Sequence, residues 1–266
     1  MLEVVLLDAG NPGPMTGGGN NTYLIVSAGD AVLIDAGVGH PEHLAALARA
    51  LAEHQSFLRM VLVTHGHLDH ASGAQAIADA YPDVTFAKYR GSGDEPGPAV
   101  NWQWLSDGQE IAVGAARLSV IHTPGHAPDH VAVWHEAGRA LFTGDLVIAE
   151  SSVVIEASRG GNLQHYMRSL DRIVELEPRR LFPAHGPMVD NPPALVRSYI
   201  EHRLTRERQV VAALEAGHRT VEEIAESIYD GLDSRLMAAA RENVRAHLEK
   251  LAAEGLAADR GGWQVL

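Results

Sequence analysis

Short apolar runs alternate along the chain with glycine- and proline-rich breaks, and their periods predict its elements. Residues 3–7, 21–26 and 31–35 are brief stretches rich in Val, Ile and Leu and read as strands. Residues 40–54 then set Leu44, Leu47 and Leu51 at helical spacing. A buried strand over 59–64 and a helix over 73–80 complete a first round. The second round consists of strands at 118–122, 131–134 and 140–143, a helix over 163–176 and a strand at 180–183. Two rounds of strands covered by helices predict a layered α/β domain. The Gly- and Pro-rich loops 10–20 and 90–100 are longer than a compact connection needs, which makes them candidate rims of a site.

A different pattern begins near residue 191, so the chain divides into a larger unit, 1–190, and a small one, 191–266. Pro192-Pro193 opens an amphipathic helix over 195–216, ended by Gly217. Thr220-Val221-Glu222-Glu223 is a capping box for another helix. A third helix, over 234–254, carries Leu236, Ala240, Val244, Leu248 and Leu251 on one face, and 256–265 reads as a hairpin around Gly261-Gly262. Three helices and a hairpin are winged-helix-like. Val196, Tyr199, Ile200 and Leu204 give the first tail helix an apolar face that would dock on the larger unit and bring His202 and Arg203 near the rim loops.

At 266 residues and 46% hydrophobic, the chain can bury a large core. It has no apolar run of about 18 residues, and its opening stretch lacks a basic start; the expectation is a cytoplasmic protein with no membrane partner. Cysteine is absent, which excludes disulfides and thiolate metal sites, while 15 histidines leave imidazole and carboxylate as ligands. The formal charge is −13. Residues 1–186 hold 11 basic and 21 acidic side chains, net −10, and 187–266 hold 10 and 13, net −3. Such a balance weighs against phosphate backbones as partners. In the tail, Arg235, Arg241, Arg245 and Lys250 alternate with Glu242, Glu249 and Glu254, a mixed surface and not a basic stripe, so no duplex DNA partner is expected.

Chemistry concentrates after the strands. Val61-Leu62-Val63-Thr64 runs into His65-Gly66-His67-Leu68-Asp69-His70, four ligand-type residues within six positions on a turn that leads to a helix. His65 and His67 alternate on one side of an extended segment, and Asp69 and His70 are free to face a second position. Three later residues stand on loops just past strands: His126 in His122-Thr123-Pro124-Gly125-His126, Asp145 after Leu141-Phe142-Thr143-Gly144, and His185 after Leu181-Phe182-Pro183-Ala184. Five histidines and two aspartates suit two zinc ions, with manganese or iron as alternatives, because affinity order alone does not set occupancy. His122, His130 and Arg159 are further candidates for contact with the substrate or for support of the ligands; packing is the competing role for the histidines and a solvated surface for the arginine.

His65 to His70 match the HxHxDH signature in full, and the sequence resembles the metallo-β-lactamase superfamily over about residues 1–190. The resemblance implies an αββα sandwich, with His65, His67 and His126 on a first metal, Asp69, His70 and His185 on a second, and Asp145 bridging. Asp35, in Leu33-Ile34-Asp35-Ala36-Gly37, matches the early aspartate that supports the metal loop from behind the ligands. Over its whole length the chain is most similar to the branch with a C-terminal winged helix, the β-lactamase-like protein 2 type, related to glyoxalase II, lactonase and RNA-processing members. Its marks here are Asn11-Pro12-Gly13-Pro14, Asn21-Thr22-Tyr23-Leu24, Tyr166-Met167-Arg168-Ser169-Leu170, His185-Gly186-Pro187 and His202-Arg203.

The implied activity is hydrolysis by a hydroxide bridging two metals, with Asp69 as the catalytic carboxylate that orients the nucleophile or carries its proton. Acidic composition favours a small ester-like substrate such as a thioester or lactone. The branch's mitochondrial members that cut single-stranded RNA supply the alternative of a phosphodiesterase or endoribonuclease. β-Lactam hydrolysis is expected at most as a side activity, since branches with a cysteine ligand are excluded and the histidine-only branch typically lacks the aspartate that Asp145 supplies. A non-enzymatic interaction module is disfavoured because no ligand is missing. A homodimer is left open.

Overall fold

The computed structural model describes residues 2–13, 16–91, 100–149 and 152–266. The strands are β1 (Glu3–Asp8), β2 (Asn21–Ser27), β3 (Asp30–Ile34), β4 (Phe57–Val63), β5 (Thr85–Tyr89), β6 (Trp102–Leu105), β7 (Glu110–Val113), β8 (Ala116–His122), β9 (Val131–His135), β10 (Ala140–Gly144), β11 (Arg180–Pro183), β12 (Ala257–Asp259) and β13 (Trp263–Val265). The α-helices are α1 (Pro41–Glu53), α2 (Leu68–Ala71), α3 (Ala74–Ala80), α4 (Leu163–Glu175), α5 (Pro192–Glu215), α6 (Val221–Ile228) and α7 (Met237–Ala253). Among these residues β1 to β6 form a six-stranded sheet in sequence order, and β11-β10-β9-β8-β7 form a five-stranded one. Strands β3 to β6 are mutually parallel, as are β10 and β11; the remaining pairs of the two sheets are antiparallel.

The strand sequences explain the layering. In β2, Tyr23 and Ile25 face the core between the two sheets, while Leu24 and Val26 face helices α1 and α3. β3 repeats this, with Val32 and Ile34 inward and Ala31 and Leu33 outward, and β9 sets Val131 and Val133 against the first sheet and Ala132 and Trp134 against α4. A strand buried on both faces must be apolar at every position, which is why these segments read as unbroken runs. The result is the expected αββα sandwich. Strands β5, β6 and β7 were not legible in the sequence: the first carries Lys88 and the other two are four residues each, too short to show a period. Of the loop 90–100 proposed as a rim, residues 92–99 lie outside the described residues, as do 14 and 15 of the other.

The tail folds as expected into helices and the β12–β13 hairpin around a core of its own that includes Val210, Leu214, Ile224, Val244, Leu248 and Leu251. Helix α5 serves both units. Its second half lies in that core, and its first half sends Val196 and Tyr199 into the layer formed by α4 and the second sheet. Leu204 does not join them and is 40% exposed. The buried positions Val196, Tyr199, Arg203 and Val210 follow a stripe that Leu204 has turned away from, and Arg203 takes the place expected of it. His202 is exposed, and Arg203 is buried against Val153, which belongs to neither rim loop. No helix among the described residues is long and apolar enough to cross a membrane.

Docking of this kind is tested by Tyr199→Ala. The ring is buried, and its hydroxyl accepts from Ile148 N and donates to Ile148 O. Truncation should cost about 3–5 kcal/mol of stability in urea unfolding; a loss below about 1 kcal/mol would mean that α5 is not packed on the sandwich.

Candidate metal centre

Every ligand-type residue singled out in the sequence lies at one edge of the sandwich, where strands of both sheets end. Parallel pairing of β3 with β4 sets Asp35 beside Thr64. Parallel pairing of β10 with β11 does the same for Asp145 and His185. Val131 N donates to Thr64 O, 2.8 Å, which stitches one sheet to the other at this edge. His126 comes in on the loop between β8 and β9.

The donor atoms converge. His65 Nε2 and His126 Nε2 lie 2.9 and 3.0 Å from His67 Nδ1. His70 Nε2 and His185 Nε2 each lie 3.5 Å from Asp69 Oδ2, and 3.5 and 3.3 Å from Asp145 Oδ1. Asp145 Oδ2 stands 3.6 Å from His126 Nε2, so the two oxygens of this carboxylate face both neighbourhoods. Three groups, His65-His67-His126, His65-His70-Asp145 and Asp69-His70-His185, each bring their ligand atoms within 4.8 Å of one another.

Groups behind the cluster determine which nitrogen three of its histidines turn inward. Asp35, 2% exposed and at a φ of 64°, accepts from Thr64 N at 2.7 Å through Oδ1. Its Oδ2 takes the Thr64 hydroxyl at 3.1 Å and His70 Nδ1 at 2.8 Å. Because that hydroxyl spends its proton on Asp35, it can only accept from His65 Nδ1, 3.1 Å away. His126 Nδ1 faces the carbonyl of Val154 at 3.0 Å. In all three, Nδ1 donates its proton to a group behind the cluster, which leaves Nε2 as the nitrogen that faces the cluster.

Charge follows from the same contacts. Burial, reinforced by the neighbouring His70, holds His65 well below the usual imidazole range, and burial with His126 lowers His67, so both are neutral bases. Burial opposes charge on His185, but the carboxylates of Asp145 and Asp69, both facing its Nε2, outweigh it and push its pKa up to about 10. For His70 burial is likewise overcome, here by Asp35 and Asp145. Burial would raise Asp69 and Asp145, yet the facing histidines keep both ionised. Asp145 Oδ1 is buried without a hydrogen bond although two imidazoles point at it. Converging lone pairs, ionised carboxylates and an orphan oxygen fit a divalent cation, and metal would displace the protons from His70 and His185.

The remaining candidates separate. His130 is fully buried; Asp145 N donates to its Nε2 at 3.0 Å, and its Nδ1 lies 2.8 Å from Thr123 Oγ1. Burial lowers its pKa to about 3, so it stays neutral and holds the Asp145 loop from behind. Gly144, at a φ of +49°, leaves room for it, since a Cβ there would lie 2.7 Å from His130 Nε2. His122 lies outside the cluster, stacked on Tyr89 at 4.0 Å with Nε2 on Pro128 O. Arg159 is not brought to the cluster either: its side chain is 78% exposed and paired with Glu156 at 3.3 Å. Sequence reasoning passed over Asn20, which is 1% exposed and donates to Asp69 Oδ2 at 3.0 Å while Asn11 holds its backbone and amide oxygen. The only signal was a position at the end of a glycine-rich loop.

A model of the metallo-beta-lactamase superfamily matches residues 15–185, and one of the beta-lactamase associated winged helix domain matches 220–263. The chain is similar to a beta-lactamase-like protein 2 homolog of Caenorhabditis elegans, 35% identical over 92% of this chain and 83% of that one. It is also similar to an atrochrysone carboxyl ACP thioesterase of Aspergillus chevalieri, 35% identical over 85% of this chain and 73% of that one. Among solved structures, a metallo-beta-lactamase family protein from Thermus thermophilus superposes with a TM-score of 0.79 over 99% of this chain and 98% of that one, at 24% identity. Another, crystallised in a di-iron-bound form, gives 0.56 over 67% and 92% at 29% identity.

Asp35→Ala is expected to weaken metal binding by about 10- to 100-fold, because His70 loses the partner that fixes its tautomer. Chelator competition measures this; unchanged affinity would show that Asp35 does not orient the ligands.

Proposed function

The chain belongs to the metallo-β-lactamase superfamily and is a metal-dependent hydrolase, and from that premise we propose that it binds two zinc ions and cleaves a small ester-like carbonyl compound, a thioester first among them. The observation that carries this reading is the shared carboxylate of Asp145, facing His126 on one side and His70 and His185 on the other. His65, His67 and His126 would hold one ion, Asp69, His70 and His185 the other, and Asp145 both. Manganese or iron would suit the same donors, as the relative crystallised with two irons illustrates. When bound, the ions would lower the pKa of water and polarise the substrate carbonyl.

The chain's own groups do the rest. Asp69 is the more accessible carboxylate of the cluster, its side chain 26% exposed against 14% for Asp145. Asn20 and the two histidines engage its Oδ2, so the other oxygen is the one available to orient a water molecule and accept its proton. Held ionised, the carboxylate is a base and not an acid. Leu68, between His67 and Asp69, is 73% exposed and offers an apolar contact to an acyl group at the mouth. A relative named as a thioesterase supports the acyl reading.

The winged-helix match favours RNA as the second reading. Against it, four of the tail's ten cations are already engaged by carboxylates: Arg235 with Asp233, Arg241 with Glu226, Arg245 with Glu242, and Lys250 with Glu207 and Glu254. Phosphate binding would have to break these pairs. The tail is therefore read as a packing element, with neither duplex DNA nor a membrane as a partner.

Metal analysis after loading with zinc or manganese should find close to two ions per chain; a reproducible value near zero would sink the proposal. The loaded protein should turn over a thioester or lactone faster than a nitrophenyl phosphodiester or unstructured RNA at one salt concentration, and the reverse order would establish the nuclease reading. Asp69→Ala and His70→Ala should each remove at least about a hundredfold of activity. Arg159→Ala, outside the cluster, should remain within about twofold of the parent rate, as expected of a solvated ion pair.

A further inference from the structure

Arg203 is 2% exposed, and among the described residues no carboxylate pairs with it. Its guanidinium donates to the backbone oxygen of Val153 and, at 3.2 Å, to Asn243 Oδ1 on α7, and lies 5.3 Å over the Tyr166 ring. Burying a cation on neutral partners alone is costly, so its place in the fold calls for a reason. The next residue supplies one: the carbonyl of Val154 receives the Nδ1 proton of His126.

The described residues 145–149 and 152–154 are tied to the helices at several points. Tyr166 donates to Leu146 O at 2.6 Å, Tyr199 clasps both backbone groups of Ile148, and Arg203 holds Val153. On the other side of His126, Gly125 at a φ of +141° packs so closely on the start of α4 that a Cβ would lie 2.3 Å from Tyr166 Cα. Asn162 N donates to Gly125 O at 2.8 Å. His126 is thereby gripped between α4 and a strand of backbone whose position depends on a side chain from the tail helix α5.

We infer that Arg203 is a positioning residue for the metal centre: through Val153 and Val154 it fixes the tautomer and direction of His126, which makes the winged-helix unit a working part of the first metal site. This rests on the reading of His126 as a ligand. An imidazole whose Nδ1 loses its acceptor is free to rotate or change tautomer, and Nε2 then no longer meets His65 and His67 at one point. Arg203→Met keeps the apolar stem and removes every donor. Arg203→Lys keeps the charge and one donor direction but not the fork that reaches Val153 and Asn243 together.

The test uses the full-length protein with zinc, Arg203→Met, Arg203→Lys, and Ile224→Ala as a control that loosens the tail core without touching the segment. Zinc titration against a competing chelator should show one of the two affinities falling about tenfold or more in Arg203→Met, with the other unchanged and Arg203→Lys in between. In metal-free protein labelled with 15N-histidine, the Nδ1–H correlation of His126 should be lost or exchange-broadened in Arg203→Met and retained in Ile224→Ala. Two unchanged affinities with the His126 signal intact would overturn the inference. So would a parallel loss of both affinities, in step with thermal stability, matched by Ile224→Ala. If wild-type protein binds no zinc, the reading of His126 as a ligand fails first, and the NMR comparison alone decides whether Arg203 orients the ring.

Discussion

The hydrogen bonds of the Asp35 carboxylate are the contacts on which the geometry of the histidine–aspartate cluster depends. Five histidines and two aspartates gathered at a buried edge face one another closely, so their orientation must be fixed from outside the cluster. Asp35 does so by accepting three hydrogen bonds, from Thr64 N, Thr64 Oγ1 and His70 Nδ1, with its side chain out of water and its backbone at a φ of 64°. Its charge is held by hydrogen bonds, the condition under which a buried carboxylate is tolerable. Thr64 passes the constraint on, because a hydroxyl that has donated to Asp35 can only accept from His65. Two histidines of the cluster are thus oriented by one buried residue.

The other half of the cluster relies on backbone. His130 receives the N–H of Asp145, and its neutrality, enforced by burial, allows it to act as an acceptor there. Val154 lends its carbonyl to His126, and the tail in turn holds Val153. One sheet edge supplies rigid side-chain partners and the other a loop braced from outside by α4 and α5. The small C-terminal unit has its own core, yet it cannot be regarded as an appendage, since its first helix also completes the outer layer of the second sheet. Charge agrees with that role, because Arg235, Arg241, Arg245 and Lys250 are paired with carboxylates and the one arginine of the unit that is buried, Arg203, is turned inward.

Much of the fold was legible in the chain because local pattern reports local structure. Strands buried on both faces show as unbroken apolar runs, helices show their period, and Thr220-Val221-Glu222-Glu223 announces a helix start that the structure realises as a full capping box. The ligand types were legible as well, since an HxHxDH turn after an apolar strand has few other uses. Strands β5 to β7 were not, being too short or too polar for their period to register.

What the sequence determined by itself was the inventory: αββα layers, a winged-helix tail, seven ligand-type residues at strand ends, and an aspartate after β3 to support them. Only the tertiary structure decided which nitrogen of each histidine faces inward, that Asn20 touches Asp69, that His122 and Arg159 stand apart, and that Arg203 is buried. The reason is physical. A carbonyl oxygen such as that of Val154 has no residue-type signature, and a guanidinium in a helix of mixed charge looks like any solvated arginine until distant segments close around it. Side-chain chemistry is written in the residue type, whereas a partner across 50 positions, as between Arg203 and Val153, exists only once the layers have packed.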